Sequence, residues 1–139
     1  MPTPRVGERA PDFELAEASG DLVRLSDEAR RGPVIIAFYP TDWGMICTME
    51  MKRFAELQEK FNELGVRLLP ISVNTVTSHR MWKAHLGITF PLLSDPEGEV
   101  AREYGMMLGD TDLMRGRSTR AVIIVDRNMV VRYLWKPPH

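Results

Sequence analysis

The chain has 139 residues, 44% of them hydrophobic and 27% charged, which is the composition of one globular domain with a real core and no room for a second domain. A formal net charge of −1 gives no global electrostatic case for nucleic acid or for an anionic membrane surface. The start, MPTPRVGERAPDF, contains no apolar h-region, and no later run approaches the ~20 residues of a membrane span, so the expected address is cytoplasmic.

Along the chain, Leu22 to Leu25 alternates as a short strand after a Ser19-Gly20-Asp21 turn, and Ser26 begins a short helix-like piece that Gly32 and Pro33 close. Val34 to Tyr39 has the length and β-branched content of a buried strand, which Pro40 ends. Beyond it, Met51, Phe54, Leu57, Phe61 and Leu64 recur at three- and four-residue steps, the spacing of an amphipathic helix. Val66 to Val73 reads as a strand, and Thr77 to Leu86 as a helix whose start Thr75 or Thr77 caps. Pro96 to Tyr104 reads as a helix, and Ala121 to Val125 and Val130 to Trp135 as strands joined by a turn at Asp126 to Met129. A βαβ half followed by an αββ half is the plan of the thioredoxin fold, an α/β architecture.

Cys47 is the only cysteine, which excludes an intrachain disulfide and a tetrathiolate metal site and fits a reducing compartment. It lies on the apolar side of the helix that follows the Val34 to Tyr39 strand, in its first turn, facing the sheet. The free N–H groups and positive macrodipole end of a helix start favour a thiolate, the form that attacks. Glu50, three residues on and on the same face, works against that charge, so the site requires a cation from elsewhere. His79 and His85 are six apart, about 240° round a helix, and do not form a chelate. No GxxxxGK or GxGxxG supports a nucleotide site, and no cysteine-protease signature surrounds Cys47.

The segment FYPTDWGMICTME resembles the peroxidatic segment of peroxiredoxins, PxxxTxxC followed by Glu three residues later, and Pro40, Cys47 and Glu50 match it. The likeness extends from VGERAPDFEL (Val6 to Leu15) through LVRLSD, ISVNTVTSHRMWKAHLGITFPLLSD and GEVAREYG to TRAVIIVDRNMVVRY (Thr119 to Tyr133). This resemblance implies a thioredoxin-like fold with an N-terminal strand extension and a mixed sheet flanked by helices. It also implies a one-cysteine thiol peroxidase that reduces hydrogen peroxide or organic hydroperoxides through a Cys47 sulfenic acid. Arg120, three residues before Ile123 and six before Asp126, matches the arginine of the family's RxxFxxD strand and is by resemblance the missing cation. Arg115 and Arg117 are left as a solvated loop. Pro40 would shape the peroxide pocket, backbone N–H groups from Gly44 to Cys47 would bind within it, Glu50 would orient Arg120, and Trp82 would support the cysteine. No metal or organic cofactor is implied. With no second cysteine, an external thiol, either a thioredoxin-like protein or a low-molecular-weight thiol, must reduce the sulfenic acid.

Two departures from the family pattern stand out. Gly44 replaces its Thr or Ser, removing the hydroxyl that in the family hydrogen-bonds the peroxide. After the Val130 to Trp135 strand the sequence ends at Pro137, Pro138 and His139, where family members usually add a helix, so an apolar patch or a covering partner is expected, a homodimer first. The alternative reading, from the same two departures, is a non-catalytic or weakly active thioredoxin-fold redox sensor or binding module.

Overall fold

A computed structural model describes residues 3–109 and 116–137; Arg115, Pro138 and His139, named above, lie outside the described residues. The elements run β1 (Glu14–Glu17), β2 (Leu22–Arg24), α1 (Leu25–Arg31), β3 (Val34–Phe38), α2 (Met45–Leu64), β4 (Arg67–Ser72), α3 (Val76–Leu86), β5 (Leu93–Ser94), α4 (Glu99–Glu103), β6 (Ala121–Val125) and β7 (Val131–Trp135). They form one sheet in the order β2-β1-β5-β4-β3-β6-β7. The β3, β4 and β5 strands are parallel, whereas β6 pairs antiparallel with β3, and β7 with β6. The expected N-terminal extension is the β1–β2 hairpin, which joins the sheet through β1 and β5.

Strand β3 explains the two-sided core. Its side chains alternate, and both sets are buried, as a continuous apolar run in a covered sheet requires. Val34, Ile36 and Phe38 join Leu25, Ala29, Val100, Tyr104 and Met106 on one face; Ile35, Ala37 and Tyr39 join Cys47, Met51, Trp82 and Leu92 on the other. The second layer carries the cysteine. Close approach is needed where α1 and α2 end: a Cβ on Gly32 would lie 2.1 Å from the Gly65 carbonyl oxygen, so only glycine fits there. Gly65 itself terminates α2 in a left-handed conformation, φ 69°, the usual helix stop.

Several expectations need correction. Leu64 is exposed: α2 rolls off the sheet at its last turn, so the apolar period outlasts the contact. Leu25 opens α1 instead of ending β2. The helix expected from Pro96 to Tyr104 is only Glu99–Glu103, because Gly98 at φ 68° holds a turn before it and the Asp95 carboxylate accepts from the Val100 and Ala101 N–H groups. Strand β5 has no signature in the sequence: two residues carry no periodicity, and pairing with β1 and β4 alone defines it. The helix expected from Thr77 starts at Val76, and of the two candidate caps it is Thr75 that accepts from Ser78 N–H at 3.1 Å.

Candidate active site

The segment from Pro40 to Cys47 leaves the C-terminal end of β3 beside the centre of the sheet. Pro40 is buried at the strand end. Gly44 is the N-cap of α2, with extended backbone (φ −64°, ψ 145°) and no side-chain cap. The first helical bond runs from Thr48 N–H to the Gly44 carbonyl, so the N–H groups of Met45, Ile46 and Cys47 have no partner within the helix and present positive charge at its start. Cys47 points down from that turn and is 3% exposed. It is a free thiol.

Arg120 reaches this sulfur from the start of β6, the strand next to β3. Its Nη1 donates to Cys47 Sγ at 3.1 Å and stands 3.8 Å from Glu50 Oε1. One guanidinium nitrogen thus serves both partners, and the sulfur is the nearer. Glu50 is under-satisfied: its Oε1 is buried without a hydrogen-bond partner among the described residues. Burial pushes the carboxyl up to about 7, against the opposing pull of the Arg120 charge. Trp82, fully buried on α3, packs in the same cluster as Cys47 and Met51 and lies 5.7 Å, ring to ring, from Tyr39. The structure therefore brings Cys47, Arg120 and Glu50 together, with Gly44 at the helix cap, Trp82 in the same buried cluster as Cys47, and Pro40 buried at the end of β3. Arg117 is half-buried.

A second charged cluster went unread in the sequence. Asp42 is fully enclosed, and its carboxylate accepts from Tyr39 Oη at 2.7 Å and Ser78 Oγ at 2.8 Å while His79 Nδ1 lies 2.8 Å from Oδ2. His79 Nε2 donates to the Leu93 carbonyl at 2.9 Å, so both ring nitrogens have a partner. Burial, then the neighbouring Asp42 charge, raises the Tyr39 hydroxyl well above its ordinary range. The Asp42 N–H is held in turn by Asn74 Oδ1 at 2.9 Å. This network ties the loop before the cysteine to α3, and it supports Trp43 in a left-handed conformation, φ 69°, that costs a non-glycine residue ~1–2 kcal/mol. The available signal was His79 and Trp82 at a helical three-residue spacing, both facing Tyr39. Near Cys47 in the chain, Trp43, Met45, Ile46 and Met49 are exposed.

A family model described as the AhpC/TSA family matches residues 6–134. The chain belongs to the AhpC/TSA family. It is 38% identical over 136 residues to a peroxiredoxin of Thermoplasma volcanium and 36% identical over 136 residues to peroxiredoxin 2 of Thermoplasma acidophilum, matching 93% of this chain in each case. It spans just under two thirds of those relatives' length, 64% and 65%. Among solved structures, peroxidoxin BcpB from Mycobacterium tuberculosis superposes with a TM-score of 0.89 at 29% identity, over 96% of this chain and 86% of that one. The fold of this AhpC/TSA chain is accordingly the thioredoxin-like fold of peroxiredoxins. No helix among the described residues is long and apolar enough to cross a membrane.

Proposed function

We propose that this chain is a one-cysteine thiol peroxidase acting on hydrogen peroxide or small organic hydroperoxides. The observation that carries the reading is the Arg120 guanidinium at 3.1 Å from a buried Cys47 sulfur in the first turn of a helix. A cation and free N–H groups on one sulfur favour the thiolate. In the reaction, a sulfur lone pair attacks the distal peroxide oxygen, the S–O bond forms and the O–O bond breaks. The leaving oxygen departs with the electron pair, takes up a proton and becomes water or an alcohol, and Cys47 becomes a sulfenic acid. Arg120 and the backbone N–H groups from Gly44 to Cys47 stabilise the charge on that oxygen. Pro40 and Trp82 wall the pocket, and Glu50 positions Arg120.

Two external thiols complete the cycle: the first forms a mixed disulfide with loss of water, the second releases the Cys47 thiol. A thioredoxin-like protein or a small thiol suits this step in the cytoplasm. The 139 residues work as one peroxiredoxin-like domain, and the exposed Trp43, Met45, Ile46 and Met49 support a homodimer that covers them; a monomer at all concentrations in sedimentation velocity would remove the dimer. The absent hydroxyl at Gly44 is what favours the rival, a weakly active sensor or binding module. Intact-mass measurement after one equivalent of peroxide separates them. Rapid gain of one oxygen, trapped at Cys47 by a sulfenic-acid reagent, is expected. Oxidation at the pace of an ordinary thiol would leave the sensor.

A further inference from the structure

Three residues before Gly44 stands a threonine, Thr41. Gly44 is not required by its backbone, since φ is −64° and any residue adopts that value. What its lack of a side chain leaves is space. A Cβ at 44 would meet Thr41 Cγ2 at 3.4 Å, Cys47 Sγ at 3.6 Å and the Thr41 carbonyl oxygen at 3.6 Å. The Thr41 methyl and the cysteine sulfur therefore border the same small space beside position 44.

Thr41 now turns its methyl toward this space. Its hydroxyl donates to the Asp42 carbonyl at 3.1 Å and stands 3.5 Å from Asn74 Nδ2, both at the long end of the range for such bonds. The three staggered positions on a threonine Cβ are related by rotations of about 120° about χ1, and one such rotation puts Oγ1 where Cγ2 stands. The hydroxyl then points into the space beside the sulfur, with little hydrogen bonding lost.

We propose that Thr41 is a catalytic residue of this chain, its hydroxyl donating to the peroxide held against Cys47 and doing the work that the family pattern gives to position 44. The inference rests on the thiol-peroxidase reading. Thr41 transfers no proton: it donates a hydrogen bond to peroxide oxygen while the S–O bond forms and the O–O bond breaks. A glycine at 44 is then the condition for this arrangement, because a side chain there would take the space into which the Thr41 hydroxyl turns.

The test is the second-order rate of Cys47 oxidation by hydrogen peroxide in four proteins: the parent, Thr41→Val, Thr41→Ser, and Thr41→Val combined with Gly44→Thr. Valine keeps the shape and removes the hydroxyl, and a slowing on the order of 10²-fold is expected, the usual effect of losing one transition-state donor. Serine keeps the donor and should lose less than about tenfold on the same scale. Moving the hydroxyl to 44 in the double variant should recover at least about tenfold of the loss. A valine variant as fast as the parent overturns the proposal, and so does a slow one whose rate neither serine nor the double variant restores, since the loss is then structural. If the parent itself oxidises no faster than an ordinary thiol, the peroxidase reading fails and Thr41's role with it. A fast parent with a fast valine variant sinks Thr41 alone.

Discussion

On one side of the Pro40 to Cys47 segment, the buried Asp42 carboxylate is met by Tyr39, Ser78 and His79, and the second ring nitrogen of His79 is bound by Leu93. On the other side, the Glu50 carboxylate leaves Oε1 buried without a hydrogen-bond partner among the described residues, and a single Arg120 nitrogen is divided between that oxygen and the Cys47 sulfur. The first cluster is fully out of water and complete; the second is part-buried and left short of partners. A complete buried network fixes a loop, and one left short of partners keeps its charges available to an incoming group. Scaffold and reactive carboxylates thus lie within nine residues of chain, Asp42 to Glu50.

The largest effect should come from breaking the reactive side at its centre. Cys47→Ser is nearly isosteric but offers no anion at neutral pH, so peroxide consumption should vanish while the circular dichroism and melting curve stay native; residual turnover would place the chemistry elsewhere. Next, Arg120→Met should slow the oxidation of Cys47 on the order of 10²-fold, with Arg120→Lys recovering only part because it lacks the planar fork. An unchanged oxidation rate would shift attention to Arg117.

On the scaffold side, Asp42→Ala leaves the His79 ring nitrogen and two hydroxyls buried without their shared partner, and a loss of roughly 2–5 kcal/mol in urea unfolding is expected. A loss under about 1 kcal/mol, the worth of an exposed pair, would mean that the network is not the anchor it resembles. The smallest effect belongs to Glu50→Gln. Because burial raises Glu50 from 4.5 to about 7, the folded chain keeps a proton that the unfolded chain releases across that window. Stability should therefore fall as pH rises from 4.5 to about 7 and level off above it. Glutamine removes the charge, so urea unfolding should find the variant more stable than the parent by on the order of 1–3 kcal/mol at pH 8 and little different at pH 5. Parallel pH profiles would show that Glu50 is better solvated than its geometry indicates.

How much of this was legible in the sequence follows the same division. Cys47 in a helix start, the β3 strand before it and Arg120 at the head of β6 all lie within strong local patterns or a linear motif, and the structure joins them in contact. Asp42 and His79 are 37 residues apart and meet only because α3 packs across the β3 end; His79 read alone was a poor chelate candidate and nothing more. The left-handed Trp43 was also hidden, because it follows the buried Asp42 anchor and its ring lies 5.2 Å from that of His85, 42 positions on. Gly44 was visible as a lost hydroxyl, and only three-dimensional placement shows what stands beside it.

The arginine-held sulfur is tested most directly by comparing one thiol with itself. Stopped-flow measurement of the second-order rate of Cys47 with hydrogen peroxide, at neutral pH, is made on the folded chain and on the same chain unfolded in urea, normalised to the thiolate fraction of each. The folded protein should react faster by roughly 10³-fold or more, because a preorganised guanidinium and backbone N–H groups stabilise the departing oxygen and unfolding removes them. Equal normalised rates would mean that the fold holds the cysteine without activating it.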